Sequence, residues 1–126
     1  MTSKEIFDRV GEVIKRKNLI TEEISVDLGY NYDTLNKCIK RGSSRIYLTM
    51  DILDAVGLEL QLDNITVNSH QEFIDYVNSR NPVNLRISKS TGISQGTIQR
   101  LKEGDNVSFE KAVRILDAMG IEVRVV

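Results

Sequence analysis

The chain has 126 residues, 40% hydrophobic and 28% charged, with a net charge of -1, one proline, one cysteine and one histidine. This balance excludes long disorder, and Cys38 with His70 can supply neither an internal disulfide nor a structural zinc site. No apolar run approaches the roughly 20 residues needed to cross a bilayer, and Met1 to Val13 mixes charges throughout, so a cytoplasmic protein with no membrane partner, metal or cofactor is expected.

Thr2 and Glu5 make a capping box for a first helix running to about Lys17, with Ile6, Val10, Val13 and Ile14 on its apolar stripe. Thr21 is expected to cap a short helix, Glu22 to Leu28, and Gly29 to supply the left-handed turn after it. Asn31 is expected to cap the next helix, Tyr32 to Lys40, which stops at Gly42. A fourth helix, about Leu48 to Val56, ends at Gly57. Beyond it Leu58, Leu60 and Leu62 alternate with Glu59, Gln61 and Asp63 as a half-buried strand does. Asp63 to Ser69 reads as a linker. Ser69 and Glu72 form a second capping box, for a helix to about Arg80 with Phe73, Tyr76 and Val77 inward. Asn84 is expected to cap Leu85 to Thr91, Ser94 to cap Gln95 to Lys102, and Ser108 to cap a last helix before Gly120. A strand, Ile121 to Val126, follows.

These elements repeat. An ungapped shift of 63 positions lays Ile52 to Leu62 (ILDAVGLELQL) on Ile115 to Val125 (ILDAMGIEVRV), and pairs Ile24 with Ile87, Ser25 with Ser88, Gly29 with Gly92 and Thr34 with Thr97. The expected fold is mainly α: two tandem four-helix units, residues 1–63 and 64–126, each ending in a short strand. The strands pair into a small antiparallel ribbon. In each unit a small residue (Ser25, Ser88), a glycine turn (Gly29, Gly92) and inward locks (Leu35 with Cys38, Ile98 with Leu101) make a helix-turn-helix.

The charge is unevenly placed. Lys37, Lys40, Arg41 and Arg45 stand against Asp33 between Asn31 and Arg45, and Arg80, Arg86, Lys89, Arg100 and Lys102 against Glu103 between Arg80 and Gly104. Ile46 to Asp75 holds six acids and no lysine or arginine. Both basic windows coincide with the second helix of a helix-turn-helix, which points to nucleic acid despite the overall charge.

The stretch Asn84 to Gly104 (NLRISKSTGISQGTIQRLKEG) resembles the lambda-repressor-like family, the Cro and Xre type of regulators. Thr21 to Gly42 (TEEISVDLGYNYDTLNKCIKRG) looks like the same motif with less typical residues. The strand after each fourth helix resembles HipB-type repressors. The resemblance implies a DNA-binding transcriptional repressor in which the start of the second helix reads base edges and the residue opening the first helix meets phosphate. In the second copy those positions are Asn84, Ser94, Gln95, Gly96, Thr97, Gln99 and Arg100. In the first they are Thr21, Asn31, Tyr32, Asp33, Thr34, Asn36 and Lys37. Tyr32 and Asp33 depart from the family pattern, as do Thr21 and Asn84 where a glutamine is usual.

Double-stranded DNA is thus the expected partner. One chain can act as a covalent pseudo-dimer, or two chains can form a homodimer through the terminal strands. The competing reading is a protein-interaction module, an antitoxin bound to a toxin or a factor bound to another protein through the acidic stretch. No nucleophile with a base, phosphate loop or metal cluster marks an enzyme.

Overall fold

A computed structural model describes residues 1–126. Eight helices and three short strands follow one another: α1 (Ser3–Arg16), α2 (Thr21–Asp27), α3 (Thr34–Arg41), α4 (Ile46–Val56), β1 (Leu60–Leu62), β2 (Ile65–Val67), α5 (His70–Ser79), α6 (Asn84–Thr91), α7 (Gln95–Lys102), α8 (Phe109–Ala118) and β3 (Val123–Val125). No helix is long and apolar enough to cross a membrane.

The apolar periodicity places the core. Ile6, Val10, Val13 and Ile14 of α1, Leu35 and Cys38 of α3, Ile98 and Leu101 of α7, and Phe109, Ile115 and Leu116 of α8 are all buried. The buried apolar residues of both halves join into one cluster of 32, so neither half owns a separate core.

The halves meet through equivalent residues. β1 pairs antiparallel with β3, Leu60 opposite Val125, Gln61 opposite Arg124 and Leu62 opposite Val123. Gln61 and Arg124 are each other's counterparts in the 63-residue shift, and the flanking pairs exchange counterparts. A second meeting point has the same reciprocity: the Ile46 N–H donates to Val107 at 3.0 Å and the Phe109 N–H to Ser44 at 2.8 Å, around a bridge between the counterparts Arg45 and Ser108. Contacts in which residue i meets j while the counterpart of j meets that of i are those of a two-fold axis, here inside one chain. Helix packing follows suit. At the level of elements, Phe7 of α1 meets Phe109 of α8 edge-on at 6.5 Å, and His70 of α5, the counterpart of Phe7, meets Tyr47 of α4 at 4.3 Å, one position beyond the counterpart of Phe109.

The stretch expected as a linker contains a strand. Asp63 adopts a left-handed φ of +54° and, with Asn64, closes a two-residue turn, so that Ile65–Val67 pairs back on β1 (Leu60 opposite Val67, Leu62 opposite Ile65). The sheet order is β2-β1-β3. Asp63 also anchors the turn: its carboxylate accepts from Tyr76 Oη, from Arg80 Nη1 at 2.6 Å and from the Glu122 N–H at 2.9 Å. The Tyr76 hydroxyl, then the Glu122 amide and the Arg80 guanidinium, hold its pKa below the ordinary carboxylate value.

Three expected caps are displaced. Thr21 and Asn84 are the first residues of α2 and α6, behind Ile20 and Val83, which offer no capping oxygen. Asn31 caps nothing, and α3 starts only at Thr34, behind Asp33. Each polar residue sits one or two positions from the cap, where a side-chain oxygen could reach the free N–H groups. The caps at Thr2, Ser69, Ser94 and Ser108 are in place. At Ser69 the box is half closed, because the Glu72 carboxylate accepts from the Asn68 N–H instead.

Candidate nucleic-acid interface

In the second half, α6 and α7 are joined by Gly92 at φ +76°, a conformation that strains a side-chain-bearing residue, then by Ile93 and Ser94. Ser94 is extended and its hydroxyl accepts the Thr97 N–H at 3.2 Å, so α7 begins abruptly at Gln95. Ile98 and Leu101 fasten the inner face of α7 in the core. Ser94, Gln95, Gly96, Gln99 and Arg100 are consequently exposed, and Thr97 and Asn84 half-buried. A methyl group built on Gly96 would meet only Ser94 Oγ at 3.9 Å, so nothing inside the chain demands glycine; its bareness opens the backbone to approach from outside.

Polar side chains tie the start of α6 to α7. Asn84 Nδ2 donates to Gln99 Oε1 at 3.0 Å, Lys102 Nζ donates to Asn84 Oδ1 at 3.0 Å, and Gln99 Nε2 donates to Glu103 Oε1 at 3.1 Å. Arg100 reaches Asp105 at 3.3 Å, both more than 45% exposed, a pair weak enough for the guanidinium to change partner. Arg86 and Lys89 on α6 are exposed as well.

The first half keeps the scaffold and changes the surface. Gly29 has φ +86°. The buried Ser25 hydroxyl donates to the Thr21 carbonyl and accepts the Leu35 N–H, both at 3.0 Å, stitching α2 to α3; the small residue was legible in the sequence, this bond was not. Asn31, Tyr32, Asn36 and Lys37 are exposed, and Thr21, Asp33 and Thr34 half-buried. The late start of α3 leaves Tyr32 and Asp33 in a turn, although their counterparts Gln95 and Gly96 are helical. Lys37, the counterpart of Arg100, is bound by Asp33 at 2.8 Å. That bond lowers the pKa of Asp33 and raises that of Lys37. Beside them α2 carries Glu22, Glu23 and Asp27, all exposed, where sequence windows drawn from Asn31 onward had registered only the basic side.

Comparison with protein-family models, curated proteins and solved structures finds no match.

Proposed function

We propose that the chain is a sequence-specific double-stranded DNA-binding regulator, a repressor of the lambda-repressor-like kind, with two helix-turn-helix units in one chain acting as a covalent pseudo-dimer. The observation that carries this reading is α7: a helix with one face fastened in the core, a serine cap fixing its start, and an outer face of Gln95, Thr97, Gln99 and Arg100 beside Arg86, Lys89 and Lys102. A glutamine amide can pair with an adenine edge and an arginine with a guanine edge, each worth about 1–3 kcal/mol of discrimination. Asn84, Ser94 and Thr97 supply hydrogen bonds for phosphate near the start of α6 and α7. The reciprocal contacts within one chain support the pseudo-dimer, since they use intramolecularly the strand edges that would otherwise join two chains.

In the first unit, Tyr32, Asp33 and the bound Lys37 offer poor base readers, and Glu22, Glu23 and Asp27 repel phosphate. The operator then has two unlike halves, with most of the discrimination in the one met by α7. The protein-interaction reading, drawn from the acidic Ile46 to Asp75 stretch, gains a second acidic surface in Glu22, Glu23 and Asp27.

The experiment is selection from a random duplex library, with light scattering to fix the mass of the bound species. An enriched site that loses its preference when Gln95 and Arg100 become alanine, and whose affinity falls steeply with salt, supports the reading. No enrichment, or an enriched site that the double variant still finds, rejects it.

A further inference from the structure

The surface of α2 and that of α6 occupy counterpart positions and carry opposite charge. Glu23 stands where α6 has Arg86, and Val26 where it has Lys89. On the first half Glu22, Glu23 and Asp27 rim a shallow groove of about 330 Å³ floored by Val26, 58% exposed, and Tyr32, 65% exposed. On the second, Arg86 and Lys89 stand beside Leu85 and Val83, 51% and 52% exposed. None of these five charged side chains enters an ion pair within the chain, unlike Lys4, Lys37, Arg80, Arg100 and Arg114.

We infer that the α2 groove of one molecule receives the α6 face of a second copy of this chain. The apolar pair Val83 and Leu85 covers Val26 and Tyr32, while Arg86 and Lys89 meet the three carboxylates. An apolar centre ringed by opposite charges is the ordinary composition of a protein contact, and the charge pattern fixes which face meets which. The contact is heterologous: a molecule that has lent its α6 still has a free α2, so copies add one after another. Its small extent makes it weak, with a dissociation constant on the order of 0.1–1 mM, and its exposed charges make it salt-sensitive. Because α6 opens the proposed DNA face, DNA and the second copy compete for it. The contact itself does not rest on the DNA reading.

Sedimentation equilibrium of the full chain tests it, on the wild type, on E22Q/E23Q/D27N, on R86Q/K89Q, and on an equimolar mixture of the two variants. The expected results are an average mass that climbs with wild-type concentration at low salt and returns to that of one chain at high salt, and single chains for each variant alone. The mixture, holding one intact α2 groove and one intact α6 face, forms a one-to-one complex and goes no further. A wild type that stays a single chain at about 1 mM overturns the proposal. So does association that persists in either variant, and so does a mixture in which no complex forms although circular dichroism shows both variants folded.

Discussion

The α2–α3 and α6–α7 pairs share one scaffold and present opposite surfaces. Inward positions agree: Leu35 with Ile98, Cys38 with Leu101, Ser25 with Ser88, Gly29 with Gly92. Outward positions do not: Asn31 against Ser94, Tyr32 against Gln95, Asp33 against Gly96, Glu23 against Arg86. Core positions are constrained by volume and by the turn, which a dense interior cannot relax, whereas a solvated side chain changes at little cost to the fold. The difference also reaches the backbone. In the shared frame α3 starts two positions later than α7, which alters what the helix can offer a partner.

The largest test of the shared scaffold is a cavity in either half. Leu35→Ala and Ile98→Ala are each expected to cost about 2–5 kcal/mol, and, because the core is continuous, each shifts a single unfolding transition rather than melting one half alone. Two separated transitions in calorimetry would break the picture of one core.

Next in size is the asymmetry of the faces. On the selected duplex, Gln95→Ala and Arg100→Ala each weaken binding about 5- to 150-fold, while Tyr32→Ala and Lys37→Ala change it less than about threefold. Equal losses in a competition titration would mean that both helices read bases.

The caps differ more modestly. Ser94→Ala should destabilise by about 1 kcal/mol, and Asn31→Ala, whose side chain caps nothing, by less than about 0.5 kcal/mol in urea titration.

The smallest difference concerns the counterparts Phe7 and His70. The His70 Nε2 is buried without a partner, and burial lowers its pKa from the ordinary 6.5. Just below that pH the unfolded chain holds a proton that the folded chain does not, so stability declines as pH falls through about 6.5 until the folded histidine also protonates. His70→Phe, which installs the residue of the first half, should flatten this slope in melting temperature against pH. Asp63 acts lower on the scale: its depressed pKa contributes stability above the ordinary carboxylate value, lost as pH falls through the folded value, and Asp63→Asn removes that acid limb.

The sequence by itself determined the helices, the 63-residue repeat, the inward residues and the glycine turns, because these follow from periodicity and from local backbone chemistry that neighbours in the chain dictate. The serine caps were equally legible. The failed caps at Thr21, Asn31 and Asn84 were not, since whether a polar residue falls at the cap, inside it or before it depends on how the helix is seated on the core. Strand β2 was hidden behind Asp63 and Asn64, although Ile65-Thr66-Val67 is a β-branched run; three residues form a strand only when β1 is already there to pair with. Tertiary structure alone decided that Gln61 faces Arg124 and Arg45 faces Ser108, and that one core serves both halves. Such pairings depend on where distant or turn-held segments come to rest, and no periodicity within a single segment records that.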